Sequence, residues 1–248
     1  VLAPFAASLH TRALRRADLA IVINDRLAES AKKERSTLPV FRLEDPPLVA
    51  APSEADVAAA RLLRDELRLG DAPVILYTGN FEPYQGVDLL AAAAALVPEA
   101  AFVFVGGAAD DIAAVEGRMD ADTRARCRFV GMKPPGDLPR WLALAALLAS
   151  PRTLGGNTPF KTYTYLAAGR PVVATRLDTH TQVLSDETAF LVEPTPQALA
   201  DGIRAALADA EGREQRAARG AALLAREFSP ARYREKVAVA YAALARPA

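Results

Sequence analysis

The sequence predicts an α/β fold, a doubly wound parallel sheet with helices on both faces. Three observations lead there. From about residue 71 onward, short β-branched or aromatic runs alternate with Ala/Leu-rich helical stretches, the order in which strands and crossover helices build a parallel sheet. The runs at 74–78, 101–105, 127–130, 146–149, 171–175 and 189–192 are almost continuously apolar, as expected when helices cover both faces; half-exposed antiparallel strands would alternate. Glycines then follow four of these runs: Gly79, the pair Gly106 and Gly107, Gly131, and the pair Gly155 and Gly156.

Residues 1–52 read as a helix at 10–17, a strand at 19–23, a helix at 25–33 and a strand at 40–43, followed by Asp45-Pro46-Pro47. Two such units cannot close a core of their own. They predict the tail of a preceding domain or an added edge on the main sheet, with the Pro-rich stretch 46–52 as boundary. Residues 53–228 then form the main domain, and three helical segments follow the last strand. The final helix, 229–245, has Ser229 to cap its first turn and Pro230 at its first position. Its apolar side carries Tyr233, Val237, Tyr241 and Leu244, so residues 229–248 need a partner surface.

Composition narrows the function. The 248 residues are 51% apolar and 24% charged, which describes a globular chain and not a disordered one. Thirty basic residues against thirty acidic leave no net charge to draw the protein to nucleic acid or an anionic membrane. A single cysteine, Cys127, and only His10 and His180 exclude a disulfide framework and argue against a zinc site. A reducing, cytoplasmic setting fits. No apolar run reaches the roughly 18 residues of a membrane span. The chain opens on Val1 with no signal pattern and reads as part of a longer protein.

In an open α/β sheet, ligands bind beyond the carboxyl ends of the strands, where glycine lets backbone approach them closely. Gly86 and the loop 155–159 each precede a helix, whose free N–H groups suit a phosphate or pyrophosphate. There is no G-x-G-x-x-G after a strand and no G-x-x-x-x-G-K-[ST], which argues against a dehydrogenase or a P-loop enzyme. Asp120-Ala121-Asp122 lies on the amino side of the third strand, away from the crevice, and Asp110-Asp111 suits a helix start. No metal site is expected.

Several spaced motifs together resemble the donor-binding domain of the large retaining "group 1" glycosyltransferases of GT-B fold. They are YTGNFEPYQGVDLL at 77–90, FVFVGG at 102–107, NTPFKTYTYLAAGRPVVAT at 157–175 and THTQVL at 179–184. The resemblance covers about 71–195 closely and the flanks in outline. It implies a Rossmann-like half of a two-domain enzyme that binds a nucleotide-sugar donor without a metal or other cofactor. It also implies an acceptor, a sugar, a lipid-linked molecule or another, on an N-terminal domain of which 1–52 are the tail. A bacterial source fits, and peripheral membrane association would come through that missing domain. On this likeness the final helix crosses back toward it.

The same resemblance assigns donor contacts to Gly79, Asn80, Gln85, Gly86, Gly107, Lys161, Thr164 and His180, and leaves the catalytic residues unknown. The pattern departs from the family in places. The family's Arg after the first glycine is here Asn80 or Phe81, its Lys before Gly86 is Gln85, and its two glutamates are Gly156 and Thr164. Lys161, in the family's Pro-x-Lys position, is the best candidate to meet a diphosphate, with Arg152 or Arg170 as stand-ins. Tyr163 and Tyr165 are expected on opposite sides of their helix, one in the core and one free to face the base. Two rivals remain. A nucleotide-sugar epimerase of the same fold would need clustered acid/base groups, which are scarce here. A degenerate, non-catalytic binding domain would explain the lost Arg, Lys and Glu.

Overall fold

The computed structural model describes residues 2–244; Ala245, assigned above to the final helix, lies outside them. Two compact units are present. One comprises the residues up to Pro46 together with those from Glu227 onward, and the other is Pro47–Arg226.

In the smaller unit, strands β1 (Ala20–Val22) and β2 (Val40–Arg42) form a parallel two-stranded sheet of their own, so they are not an added edge on the main sheet. Helices Leu2–Arg16, Asp25–Glu34 and Pro230–Leu244 complete the unit. Just past β2, the buried carboxylate of Glu44 accepts from Lys236 Nζ of the last helix at 2.6 Å and from Arg42 Nε. Burial alone would raise its pKa, but these two cations hold it below the usual carboxylate range. Of the apolar side of that helix, Tyr233 and Val237 are half-buried, while Tyr241 and Leu244 are exposed.

The larger unit contains β3 (Val74–Thr78), β4 (Ala101–Val105), β5 (Cys127–Phe129), β6 (Leu147–Ser150), β7 (Val172–Thr175) and β8 (Phe190–Val192). All pair in parallel in the order β5-β4-β3-β6-β7-β8. That is the doubly wound arrangement expected from the sequence. Strands β3, β4, β6 and β7 are buried along their whole length, which explains why they lack alternation. Their largest core side chains include Ile75, Tyr77, Phe102, Phe104 and Leu147, which pack with Leu199 of the helix Pro196–Ala208.

The unit takes in residues from Pro47, and the N–H of Leu48 bonds to Thr164 Oγ1 at 3.0 Å. Helix Glu54–Glu66 begins with a reciprocal cap between Ser53 and Asp56. Asp120 caps helix Ala121–Arg126 through the N–H of Thr123. The three helices after β8 are Pro196–Ala208, Ala210–Leu223 and Pro230–Leu244, with a π-helical turn, Leu224–Phe228, before the last.

Candidate functional site

The doubly wound order puts its reversal between β3 and β6, where the connections from the two parallel strands run to opposite sides and open a crevice. Beyond their carboxyl ends lies a cavity of about 480 Å³. That volume lies in the range of small-ligand sites. Thr78, Gly79 and Asn80 at the end of β3, Gly106 after β4, Met132 to Pro135 after β5 and Arg152 after β6 contribute to its wall. Leu48, Thr158, Lys161 and Thr164 are also on the wall. Among the described residues, no carboxylate lines it.

Two glycines allow the backbone to close around this space. A Cβ on Gly106, whose φ is +121°, would lie 1.9 Å from the carbonyl oxygen of Gly79. A Cβ on Gly86, with φ of +74°, would lie 1.8 Å from that of Pro151. Either side chain would push apart the loops that leave β3 and its neighbours. Where β3 and β6 part, Tyr165 fills the gap. Its hydroxyl accepts from Thr78 N–H at 2.9 Å and donates to the carbonyl of Ala149 at 3.4 Å.

The charge in the cavity is positive and poorly compensated. Lys161, in the first turn of helix Phe160–Ala167, has a partly exposed stem, yet its Nζ is buried and has no hydrogen-bond acceptor among the described residues. It lies over the Tyr77 ring, 3.9 Å from the centroid. Burial first, and the neighbouring Arg152 second, push its pKa well below the ordinary lysine value. Arg152 donates from Nη1 to the carbonyl of Asn157 at 2.5 Å and stacks over the Tyr84 ring at 5.0 Å, while its buried Nε finds no acceptor. Two incompletely bonded basic side chains facing one cavity are groups that an anion would satisfy, and an anion would in turn favour the charged form of Lys161.

Five of the eight sequence-assigned donor residues share the cavity wall: Gly79, Asn80, Gln85, Lys161 and Thr164. Three do not. Gly86 caps helix Val87–Ala95 from beneath, and Gly107 backs onto the Phe81 ring, which stands about 3 Å from where its Cβ would be. His180 lies away from the wall. It sits in the helical turn Asp178–Thr181, fully buried, with Nε2 2.8 Å from Ser150 Oγ and Nδ1 2.7 Å from the carbonyl of Thr175. Burial pushes its pKa down to about 4, against the pull of the Thr175 carbonyl, so the ring is neutral at pH 7.

Other expectations change as well. Tyr163 and Tyr165 are both buried, at 1% and 0% exposure, so neither faces a base. Their helix is packed on both sides, as the 2.7 Å between a Cβ on Gly220 and Leu166 Cδ2 illustrates. Arg170 precedes β7, at the opposite end of the sheet, and donates to the carbonyl of Ala143 at 2.9 Å. It cannot stand in for a cavity cation. Phe81 joins an aromatic cluster with Tyr77, Phe104 and Phe129. The sequence reading missed Met132 to Pro135; their signal was a position just past Gly131 at a strand end.

Residues 72–209, more than half the chain, match the family model described as "Glycosyl transferases group 1". The alpha-D-kanosaminyltransferase of Streptomyces kanamyceticus is 27% identical over 238 residues, 91% of this chain and 60% of the relative. The D-inositol 3-phosphate glycosyltransferase of Xylanimonas cellulosilytica is 33% identical over 192 residues, 71% of this chain and 44% of the relative. The chain thus spans roughly half the length of these relatives. Among solved structures, Anabaena HepE in complex with UDP and glucose superposes with a TM-score of 0.81 at 20% identity, over 98% of this chain and 69% of that one. That likeness shows a common fold, one half of which is the Rossmann-like sheet described above. On the family match, this chain belongs to the group 1 glycosyltransferases.

Proposed function

We propose that the cavity is the donor site of a glycosyltransferase that binds a nucleoside diphosphate sugar, with the diphosphate toward Lys161 and Arg152. The observation that carries this is a cavity walled by two incompletely bonded cations and no carboxylate. In sugar transfer, negative charge develops on the departing diphosphate, and preorganised buried cations stabilise it most where water is excluded. Basic side chains beside the diphosphate would neutralise it in the place of a divalent ion, which suits a metal-independent reaction. Retention of anomeric configuration follows the family resemblance. In this reading the smaller unit is the tail of an acceptor-side domain, the acceptor is a sugar or a lipid-linked molecule, and this chain alone transfers no sugar.

A second reading is a degenerate binding domain. Phe81 in an aromatic cluster, Gln85 where the family carries Lys, and Thr164 with its hydroxyl already bonded to Leu48 N–H favour it. Calorimetric titration with UDP, GDP and ADP, each with and without magnesium or manganese, tests the donor-site reading. Binding that does not depend on metal is the expected result; affinity that appears only with metal, or no binding, overturns it. Restoring an acceptor-side domain and assaying transfer then separates an enzyme from a binding domain.

A further inference from the structure

We propose that Ser150, His180 and Thr175 form a buried strap that positions Arg152 for the diphosphate, so that Thr175 and His180 govern donor affinity without touching the donor. The inference rests on the donor-site reading above. Arg152 lies two residues past the end of β6, on a loop that runs to the helix at Phe160. A guanidinium on such a loop is only as well placed as its backbone. Here Thr175 Oγ1, at the end of β7, donates to the carbonyl of Arg152 at 2.6 Å.

The rest of the strap holds Thr175 and the end of β6 together. A carbonyl only accepts, so the 2.7 Å contact with Thr175 places the proton of His180 on Nδ1 and leaves Nε2 to accept from Ser150 Oγ. One imidazole therefore ties the last residue of β6 to the last residue of β7. All three side chains are buried, at 2%, 0% and 0% exposure. Apolar residues would fill this space without the need to satisfy three polar groups. What the polar set adds is a fixed exit path for Pro151 and Arg152. The buried Nε of Arg152, with no acceptor among the described residues, is the group that gains from it.

The test is titration of the whole chain with the tightest of UDP, GDP or ADP and with the matching nucleoside. The variants are Thr175→Val, His180→Asn, Arg152→Met and the Thr175→Val/Arg152→Met double, each checked for folding by thermal melting. Thr175→Val keeps the shape and loses only the hydroxyl bonds, so it remains informative if His180→Asn does not fold. Thr175→Val is expected to weaken the diphosphate about tenfold, to leave the nucleoside unchanged, and to have no further effect once Arg152 is Met. Equal losses for both ligands, or additive effects in the double variant, overturn the strap. Absence of diphosphate binding to the unaltered chain overturns the donor-site reading and the strap with it; binding that Thr175→Val leaves intact overturns the strap alone.

Discussion

The two ends of the six-stranded sheet use their cations in opposite ways. At the amino ends of the strands, Arg64 donates to the carbonyls of Gly70 and Ala72, Arg126 to that of Ala94, Arg170 to that of Ala143 and Arg204 to that of Leu96. Several of these carbonyls close helix C-termini, where unpaired C=O groups and the helix dipole both attract a cation. At the carboxyl ends, Lys161 Nζ is buried with no acceptor among the described residues; an unpartnered buried Nε, as on Arg152, is found at the amino end too, on Arg126. Abundance of arginine therefore says nothing about where a ligand sits. What distinguishes the two ends is the lysine: Lys161 has none of its donors taken up among the described residues, whereas each of these arginines keeps at least one bond.

The glycines give the largest expected contrast. Gly106→Ala places a Cβ 1.9 Å from the Gly79 carbonyl at a φ of +121°, and should cost about 3 to 4 kcal/mol in urea unfolding while abolishing diphosphate binding. Gly70, at the amino end, has a φ of +54° and open space around its Cβ. Gly70→Ala should cost only about 1 kcal/mol and leave binding intact. Equal costs at both positions would break the comparison.

Acid comes next. His180 has a folded pKa of about 4, below its ordinary value of 6.5, so the unfolded chain binds more protons between these limits. Stability then rises with pH through that window and is lost as pH falls, with His180 accounting for about 2 kcal/mol by pH 5. Urea midpoints from pH 7 to pH 5 measure this. A folded His180→Asn variant should show a correspondingly shallower loss, and an unchanged one would refute the assignment.

Lys161→Met should weaken diphosphate binding by about 1.5 to 3 kcal/mol, with the nucleoside spared. It should not reduce stability, because it removes a buried amine with no acceptor. The lowered pKa of Lys161 adds a sign to this. A bound diphosphate favours the ammonium, so any proton taken up on binding belongs to Lys161, and affinity falls as pH rises through its lowered pKa. Binding enthalpies in buffers of different ionisation enthalpy count that proton, and Lys161→Met should abolish it.

The smallest effect belongs to the amino end. Arg170→Met should cost about 1 kcal/mol of stability, the worth of its bond to the Ala143 carbonyl, with no change in ligand affinity. Any loss of diphosphate binding in this variant would contradict the division between the two ends.

The sheet was legible because its signal is local. Continuously apolar runs such as Val74–Thr78 can only be strands covered on both faces, and their order with the intervening helices dictates parallel pairing. The glycines marked the ligand end for the same reason, since a strand end followed by glycine is a property of neighbouring residues. Lys161 was found through the motif around it. By contrast, helical periodicity left one of Tyr163 and Tyr165 free, yet both are buried, and Tyr165 bridges the ends of β3 and β6. Periodicity says which residues share a face of a helix, and does not say that a second helix covers the other face.

By itself, then, the sequence determined the parallel α/β class, the strand ends beyond which the cavity lies and the family whose motifs it carries. Only the tertiary structure decided which polar groups are already bonded to one another. His180 and Arg170 look as available in the chain as Lys161 and Arg152, and partners 5 and 27 residues away take up their donors. Hydrogen bonding is a matter of distance in space, and residues far apart in sequence meet only when the sheet brings its strand ends together.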